Sequence, residues 1–225
     1  MKRSRINAEI KNAMEICKRL SFFLPDFAGW SPEEWKRGDA DEMKKTMLGW
    51  DVTDYGTDDF DRVGAVLFTL RNGSVYDSSL GTPYCEKVII MKAGQKLPMH
   101  FHFSKTEDII NRNGAALHIR VYASKKTPEG YELDGERPVT IYRDGIKNIL
   151  PAGTVLHVEK GCSVTIAPYI YHEFFSDEEN GELIVGEVSS VNDDTKDNYF
   201  LSPLKLTKIE EDEPEIYHLC GGYIQ

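Results

Sequence analysis

The chain has 225 residues, 40% hydrophobic and 11% aromatic, which suits one globular domain with a sizeable core. Its net charge of -10 argues against nucleic acid or anionic membrane as main partners, since both would repel it, and favours a small neutral substrate. No run approaches the ~20 apolar residues that span a bilayer, and Glu9, Lys11, Glu15, Lys18 and Arg19 break any signal-peptide reading of the basic start, so a cytoplasmic location is expected. Cys17, Cys85, Cys162 and Cys220 are scattered without a C-x-x-C spacing, which favours free thiols in a reducing compartment.

In chain order, Ile6, Ile10, Met14 (or Ala13), Cys17 and Leu20 recur at helical spacing and predict an amphipathic helix over 7–23, with Asn7 as its cap. "SPEEW" predicts a second, short helix with Ser31 as N-cap, Pro32 at the first helical position and Glu34 closing a capping box, stopped near Gly38. Residues 39–61 are acidic and Gly-rich, without an assignable pattern. Beyond Asp61 the texture changes to short strands: "RVGAVLFTLR", "KVIIMKA", "AALHIRVYA", "PVTIYR", "NILPAGTVLHV", "SVTIAPYIYHEFF" and "ELIVGEVSSV". Asn72-Gly73 and Asp144-Gly145 read as tight hairpin turns. The division expected is a helical N-terminal extension over 1–60, packed on an all-β barrel or sandwich over 61–225. The acidic run "EEDEPE" reads as a solvated face, and "IYHLCGGYI" as a possible last strand.

His100 and His102 lie at strand period two and so project to the same side, with Glu107 five residues on. Imidazole and carboxylate together suit a borderline divalent metal such as Mn, Fe, Co, Ni or Zn. A lone histidine would carry no such meaning, and His118 and His157, set among apolar residues, are expected to be packing residues. The spacing Gly94-x5-His100-x-His102-x4-Glu107-x6-Gly114 resembles the first motif of the cupin superfamily, a double-stranded β-helix or jelly-roll barrel with a metal at its centre. Gly161-x6-Pro168-x3-His172-x3-Ser176 resembles the second motif, with Ile170 in place of a common Gly, a shorter Pro-to-His spacing and Ser176 in place of Asn. The resemblance makes His172 the fourth ligand. Three imidazoles and one carboxylate leave two octahedral positions open, which suits Mn2+ better than a four-coordinate zinc.

Metal chemistry alone does not select a reaction. If residues 172–188 form one hairpin turning near Glu179 and Asn180, His172 and Glu187 become cross-strand partners, and Glu187 faces the metal as a candidate base; a one-residue slip would turn it outward. Lys105, between His102 and Glu107, and Lys87, at the head of "KVIIMKA", are candidates for stabilising developing negative charge. "HFHFSKTEDIINRNG", "GEVSSVNDDTKDNYF" and the helical N-terminal extension resemble the bacterial D-lyxose isomerase family over essentially the full chain. That resemblance implies interconversion of D-lyxose with D-xylulose and of D-mannose with D-fructose through a cis-enediol, aided by Mn2+ in a homodimer. It also implies catalytic roles for Glu187, Lys105 and Lys87, with Asp194 a further residue that could reach the pocket. Rival readings are a ferrous cupin dioxygenase and a non-catalytic sugar- or metal-binding cupin; no basic recognition helix and no Gly-rich phosphate loop is present.

Overall fold

The structure, a computed structural model, describes residues 1–177, 181–194, 196–205 and 207–220. Helix α1 spans Arg3–Arg19, α2 Pro32–Trp35 and α3 Asp41–Lys45. On α1 the buried residues Ile6, Ile10, Ala13, Ile16 and Cys17 follow the helical period. Burial of each large aliphatic side chain contributes roughly 1.5–3 kcal/mol. The helix begins before Asn7, so Asn7 is not its cap. Its first N–H groups find acceptors in the C-terminal segment instead: Arg3 N donates to Glu210 O (2.8 Å) and Ser4 N to Asp212 Oδ1 (2.9 Å). Asn7 Nδ2 donates to Glu213 Oε1 (2.7 Å) and Pro214 O (2.9 Å). The acidic run is therefore a strap across the positive end of α1, although most of its surface is exposed. Ser31 and Glu34 form the reciprocal capping box of α2, as the spacing predicts.

Among the described residues fourteen strands follow: β1 Gly49–Thr53, β2 Ala65–Gly73, β3 Gly81–Met91, β4 Lys96–His102, β5 Glu107–Gly114, β6 Leu117–Thr127, β7 Gly130–Asp134, β8 Val139–Arg143, β9 Ile146–Leu150, β10 Val155–Val158, β11 Ser163–Ile166, β12 Ile170–Ser176, β13 Leu183–Ser190 and β14 Asn198–Phe200. They form two antiparallel sheets, β1-β2-β3-β13-β5-β11-β8-β9 and β10-β6-β12-β4-β14, with β7 on the side of β6. The strands pass from one sheet to the other, the jelly-roll arrangement that the two motifs lead one to expect. One core, including Ile89, Ile109, Leu117, Val121, Phe174 and Val185, fills the barrel. A second, including Trp50, Phe68, Val88, Ile90 and Ile184, lies between the large sheet and α1. The alternation of Ile89 and Met91 inward with Val88 and Ile90 outward is the period-two pattern of a strand covered on both faces.

Several local expectations change. β1 falls within residues 1–60, yet it pairs with β2 from Gly49↔Thr69 to Thr53↔Ala65 and so belongs to the sheet. Its acidic surroundings and short length hid it. Asn72-Gly73 is not a tight turn: Gly73 pairs with Gly81, and residues 74–80 make the connection. Asp144 and Gly145 do form the two-residue turn between β8 and β9, both at positive φ (48° and 82°), as a type I′ turn needs. "NILPAGTVLHV" divides at Pro151 into β9 and β10. The last strand reduces to a parallel bridge between Trp50 and Leu219, and residues 221–225 lie outside the described residues.

Gly114, which closes the first motif, sits at φ +101°, and a Cβ there would lie 2.1 Å from Glu182 O. Gly135 has nothing within 4 Å of the same position. Gly114→Ala is expected to cost more than about 1 kcal/mol in urea unfolding, while Gly135→Ala changes little. Equal midpoints for the two variants would refute this account of the motif.

Candidate metal centre and active site

Strand β4 is irregular where it matters. Phe174 on β12 pairs with Leu97, but His172 pairs with His100, so an extra residue of β4 is accommodated between the two pairs. Leu97 faces the barrel core. Regular alternation would then turn Met99 and Phe101 inward. The bulge at Pro98–Met99 reverses the phase and brings in His100 and His102. Phe101 consequently packs outside, among Tyr131, Tyr169, Tyr171 and Tyr199.

The ligand nitrogens of His100, His102 and His172 all lie within 4.8 Å of one another, and all three residues are buried. Glu107, at the head of β5 on the opposite sheet, places Oε1 3.0 Å from His172 Nε2 and Oε2 3.3 Å from His102 Nε2. Yet His102 Nε2, His172 Nε2 and Glu107 Oε1 have no hydrogen-bond partner. Orphaned buried polar atoms that face one another are costly unless a cation joins them. The other ring nitrogens agree with that reading: Nδ1 of His100 is 2.8 Å from Pro98 O and Nδ1 of His172 2.9 Å from Ile170 O. A carbonyl accepts only from N–H, so in both rings Nδ1 carries the proton and Nε2 offers its lone pair inward. The four residues fit a divalent metal.

Beside this cluster lies a row of buried charges. Glu187 pairs across the large sheet with Lys87 on β3 and Ile109 on β5, so all three side chains share the inner face. The expected hairpin between β12 and β13 is absent, because the two strands belong to different sheets; Glu187 faces His172 across the barrel instead of beside it. The predicted turn at Glu179 and Asn180 lies outside the described residues. Lys105 Nζ is 2.8 Å from Glu187 Oε1 and 3.0 Å from Glu107 Oε2, while Lys87 Nζ is 2.9 Å from Asp194 Oδ2. Burial alone would lower the pKa of both lysines, but the adjoining carboxylates carry them above the ordinary lysine value. Burial would likewise raise the pKa of Glu107, yet the Lys105 charge, then His102 and His172, hold it well below the carboxylate range. Asp194, half exposed at the cavity, is also held low, by Lys87 and then Lys105.

A cavity of about 350 Å³ reaches His100 and Lys87 from outside, lined also by Asp51, Tyr55, Asp194 and Phe200. Phe200 packs on His100 at 5.2 Å between ring centroids, and Tyr55 on Phe200 at 6.0 Å. Tyr55 adopts φ 53°, unusual for an aromatic residue, and burial, then Asp51, keep its phenol protonated well above the usual range. Asp51, Tyr55 and Asp197 escape sequence reasoning, since each sits in an acidic stretch without a motif. His118 packs on Phe175 (5.1 Å between centroids) and against His157 (4.2 Å), apart from the triad.

The carboxylates give the site an acid limit. A group whose pKa is lowered on folding contributes stability above its unfolded value, near pH 4, and loses it as pH falls through the folded value. Lys105→Met removes the charge that holds Glu107 down, so the urea midpoint of the metal-stripped variant is expected to fall below wild type at pH 7 and to approach it as the pH drops below about 4. Near-ultraviolet circular dichroism reads the midpoint; an unshifted one would mean that Lys105 does not set the ionisation of Glu107.

Comparison with known proteins agrees with this geometry. The profile described as D-lyxose isomerase matches residues 1–223. A D-lyxose/D-mannose isomerase of Serratia proteamaculans is 41% identical over 229 residues, covering 100% of this chain and 99% of that protein. Its namesake in Escherichia coli is 39% identical with the same coverage. Among solved structures, an Acinetobacter L-ribose isomerase mutant in complex with L-ribose superposes with a TM-score of 0.61 at 16% identity, covering 93% of this chain and 98% of that one. A Cellulomonas parahominis L-ribose isomerase with L-ribose gives 0.55 at 15% identity, with the same coverage. The latter two share the fold. The full-length sequence match decides the kinship: the chain belongs to the D-lyxose isomerase family.

Proposed function

We propose that this protein interconverts D-lyxose with D-xylulose, and D-mannose with D-fructose, by moving a proton between C2 and C1 of the open-chain sugar. One observation carries the reading above all: a buried carboxylate, Glu187, lies on the inner wall of the barrel beside the histidine cluster, held by Lys105 at 2.8 Å. The D-lyxose/D-mannose isomerases that match the full chain support the choice of sugars.

His100, His102, His172 and Glu107 would hold the cation, and because four donors would leave two octahedral positions open, Mn2+ suits them better than a four-coordinate zinc. Such an ion, when bound, supplies Lewis-acid polarisation of the sugar's oxygens and so acidifies the C2 proton. Glu187 is then the base that removes this proton and returns it at C1 on the same face, through an enediol, while the O2 hydroxyl proton passes to O1 with the lysine ammonium groups beside the oxygens as the relay. Lys105, shared between Glu187 and Glu107, fixes the direction of the base and places positive charge where an enediolate would need it. Lys87, steadied by Asp194 and lining the cavity, offers N–H donors to the sugar's oxygens. His100 and Phe200 pack on each other and both line the cavity, where the Phe200 ring offers a surface that suits the apolar side of a sugar. A homodimer and a cytoplasmic location belong to the same proposal. Among the described residues no helix is long and apolar enough to cross a membrane.

Reconstituted protein incubated with D-lyxose and D-mannose in deuterium oxide is expected to form ketose with deuterium at C1. Glu187→Gln should lower kcat by about 100-fold to 10,000-fold while leaving the metal content intact. Wild-type turnover in that variant would remove Glu187 from the mechanism, and no ketose from either sugar would sink the assignment.

A further inference from the structure

Asp197 immediately precedes β14 and is only 8% exposed. Both of its carboxylate oxygens address the turn between His102 and Glu107. Oδ1 accepts from Ser104 N (2.7 Å) and Ser104 Oγ (2.6 Å), and Oδ2 accepts from Lys105 N (3.0 Å). The backbone joins in: Phe103 N donates to Asp197 O at 3.0 Å, and Asn198 pairs with His102. Three consecutive N–H groups, from Phe103 to Lys105, thus end on one residue that lies far along the chain.

His102 differs from its two partners. The Nδ1 atoms of His100 and His172 meet backbone carbonyls, whereas His102 Nδ1 is buried without a hydrogen-bond partner. Asp197 Oδ2 stands 3.9 Å from it, a carboxylate acceptor just beyond hydrogen-bond distance. An imidazole that ligates a metal is oriented by an acceptor on its other nitrogen, which fixes the tautomer and strengthens the donor.

We propose that Asp197 is the positioning residue of the site. It sets His102 so that Nε2 is the nitrogen offered to a cation, and it holds the turn that carries the Lys105 ammonium to Glu107 and Glu187. The proposal rests on the metal-dependent isomerase reading and adds to it a carboxylate that touches neither the sugar nor the cation.

The test compares full-length wild type with Asp197→Ala and Asp197→Asn, using Co2+ as the probe metal. Calorimetric affinity and the visible cobalt spectrum are measured first, then kcat and KM for D-lyxose at saturating metal. Asp197→Ala is expected to lose about 10-fold to 100-fold in Co2+ affinity and a similar factor in kcat, with an altered spectrum. KM at saturating metal should stay within about threefold, because Asp197 makes no contact with substrate. Asp197→Asn keeps an acceptor oxygen for the turn and should fall between the two. It also supplies the measurement if the alanine variant fails to fold. Wild-type Co2+ affinity and an unchanged spectrum in the folded variants would reduce Asp197 to a loop staple and overturn the proposal. A wild type that binds no Co2+ would overturn the metal reading along with it. A wild type that binds Co2+ but isomerises no aldose would sink the isomerase reading alone, the affinity and spectrum still deciding on Asp197.

Discussion

A strand shows alternate side chains to its two faces, so Leu97 and His100, three positions apart, should point in opposite directions. Both point into the barrel, because β4 takes up one extra residue opposite β12. The same irregularity turns Phe101 out among tyrosines and lays His100 directly across from His172. Apolar filling at one end of the interior and polar chemistry at the other thereby coexist on a single strand. The rest of the site meets the histidines where that change of phase leaves them: Glu107 reaches across from the other sheet, and Lys105 sits on the connection between them.

The barrel then has to keep several ionised groups away from water. It does so by alternating their signs: Glu107, Lys105 and Glu187 form one chain, and Lys87 alongside them is paired with Asp194, whose own carboxylate is half exposed at the cavity. Each ion alone would face a desolvation cost of several kcal/mol, so none of these side chains is structurally independent. Removing one leaves its neighbour stranded, which couples the chemistry of the site to the integrity of the fold. That coupling also explains how two lysines can stay charged in an interior where burial works against them.

Much of this was legible in the sequence, and for identifiable reasons. The His-x-His-x4-Glu spacing and the later His172 depend on short-range period and family motif, both visible in one dimension. The capping box at Ser31 and the Asp144-Gly145 turn are local chemistry and appear where the spacing puts them. Glu187 was reached by a hairpin that does not exist; its inward orientation comes from pairing with Lys87 and Ile109 in the other sheet. The start of α1 was misplaced because its capping groups arrive from some two hundred residues away in sequence, at Glu210 and Asp212. Nothing near Asn7 announces them. Asp197 escaped notice for the same reason, its partners lying at residues 103–105.

The cavity's outer wall is built from both ends of the polypeptide. Asp51 and Tyr55 come from the N-terminal third, and Phe200, Leu204, Lys205 and Thr207 from the last segment. Thr207 Oγ1 donates to Asp54 Oδ1 at 2.5 Å, and Gly56 lies so near Lys205 O that a Cβ would approach it to 2.5 Å. During synthesis every candidate ligand leaves the ribosome before this clasp can form. A nascent barrel can therefore gather its donors while the chamber that receives a sugar still stands open, its outer wall completed only once Leu204, Lys205 and Thr207 have emerged.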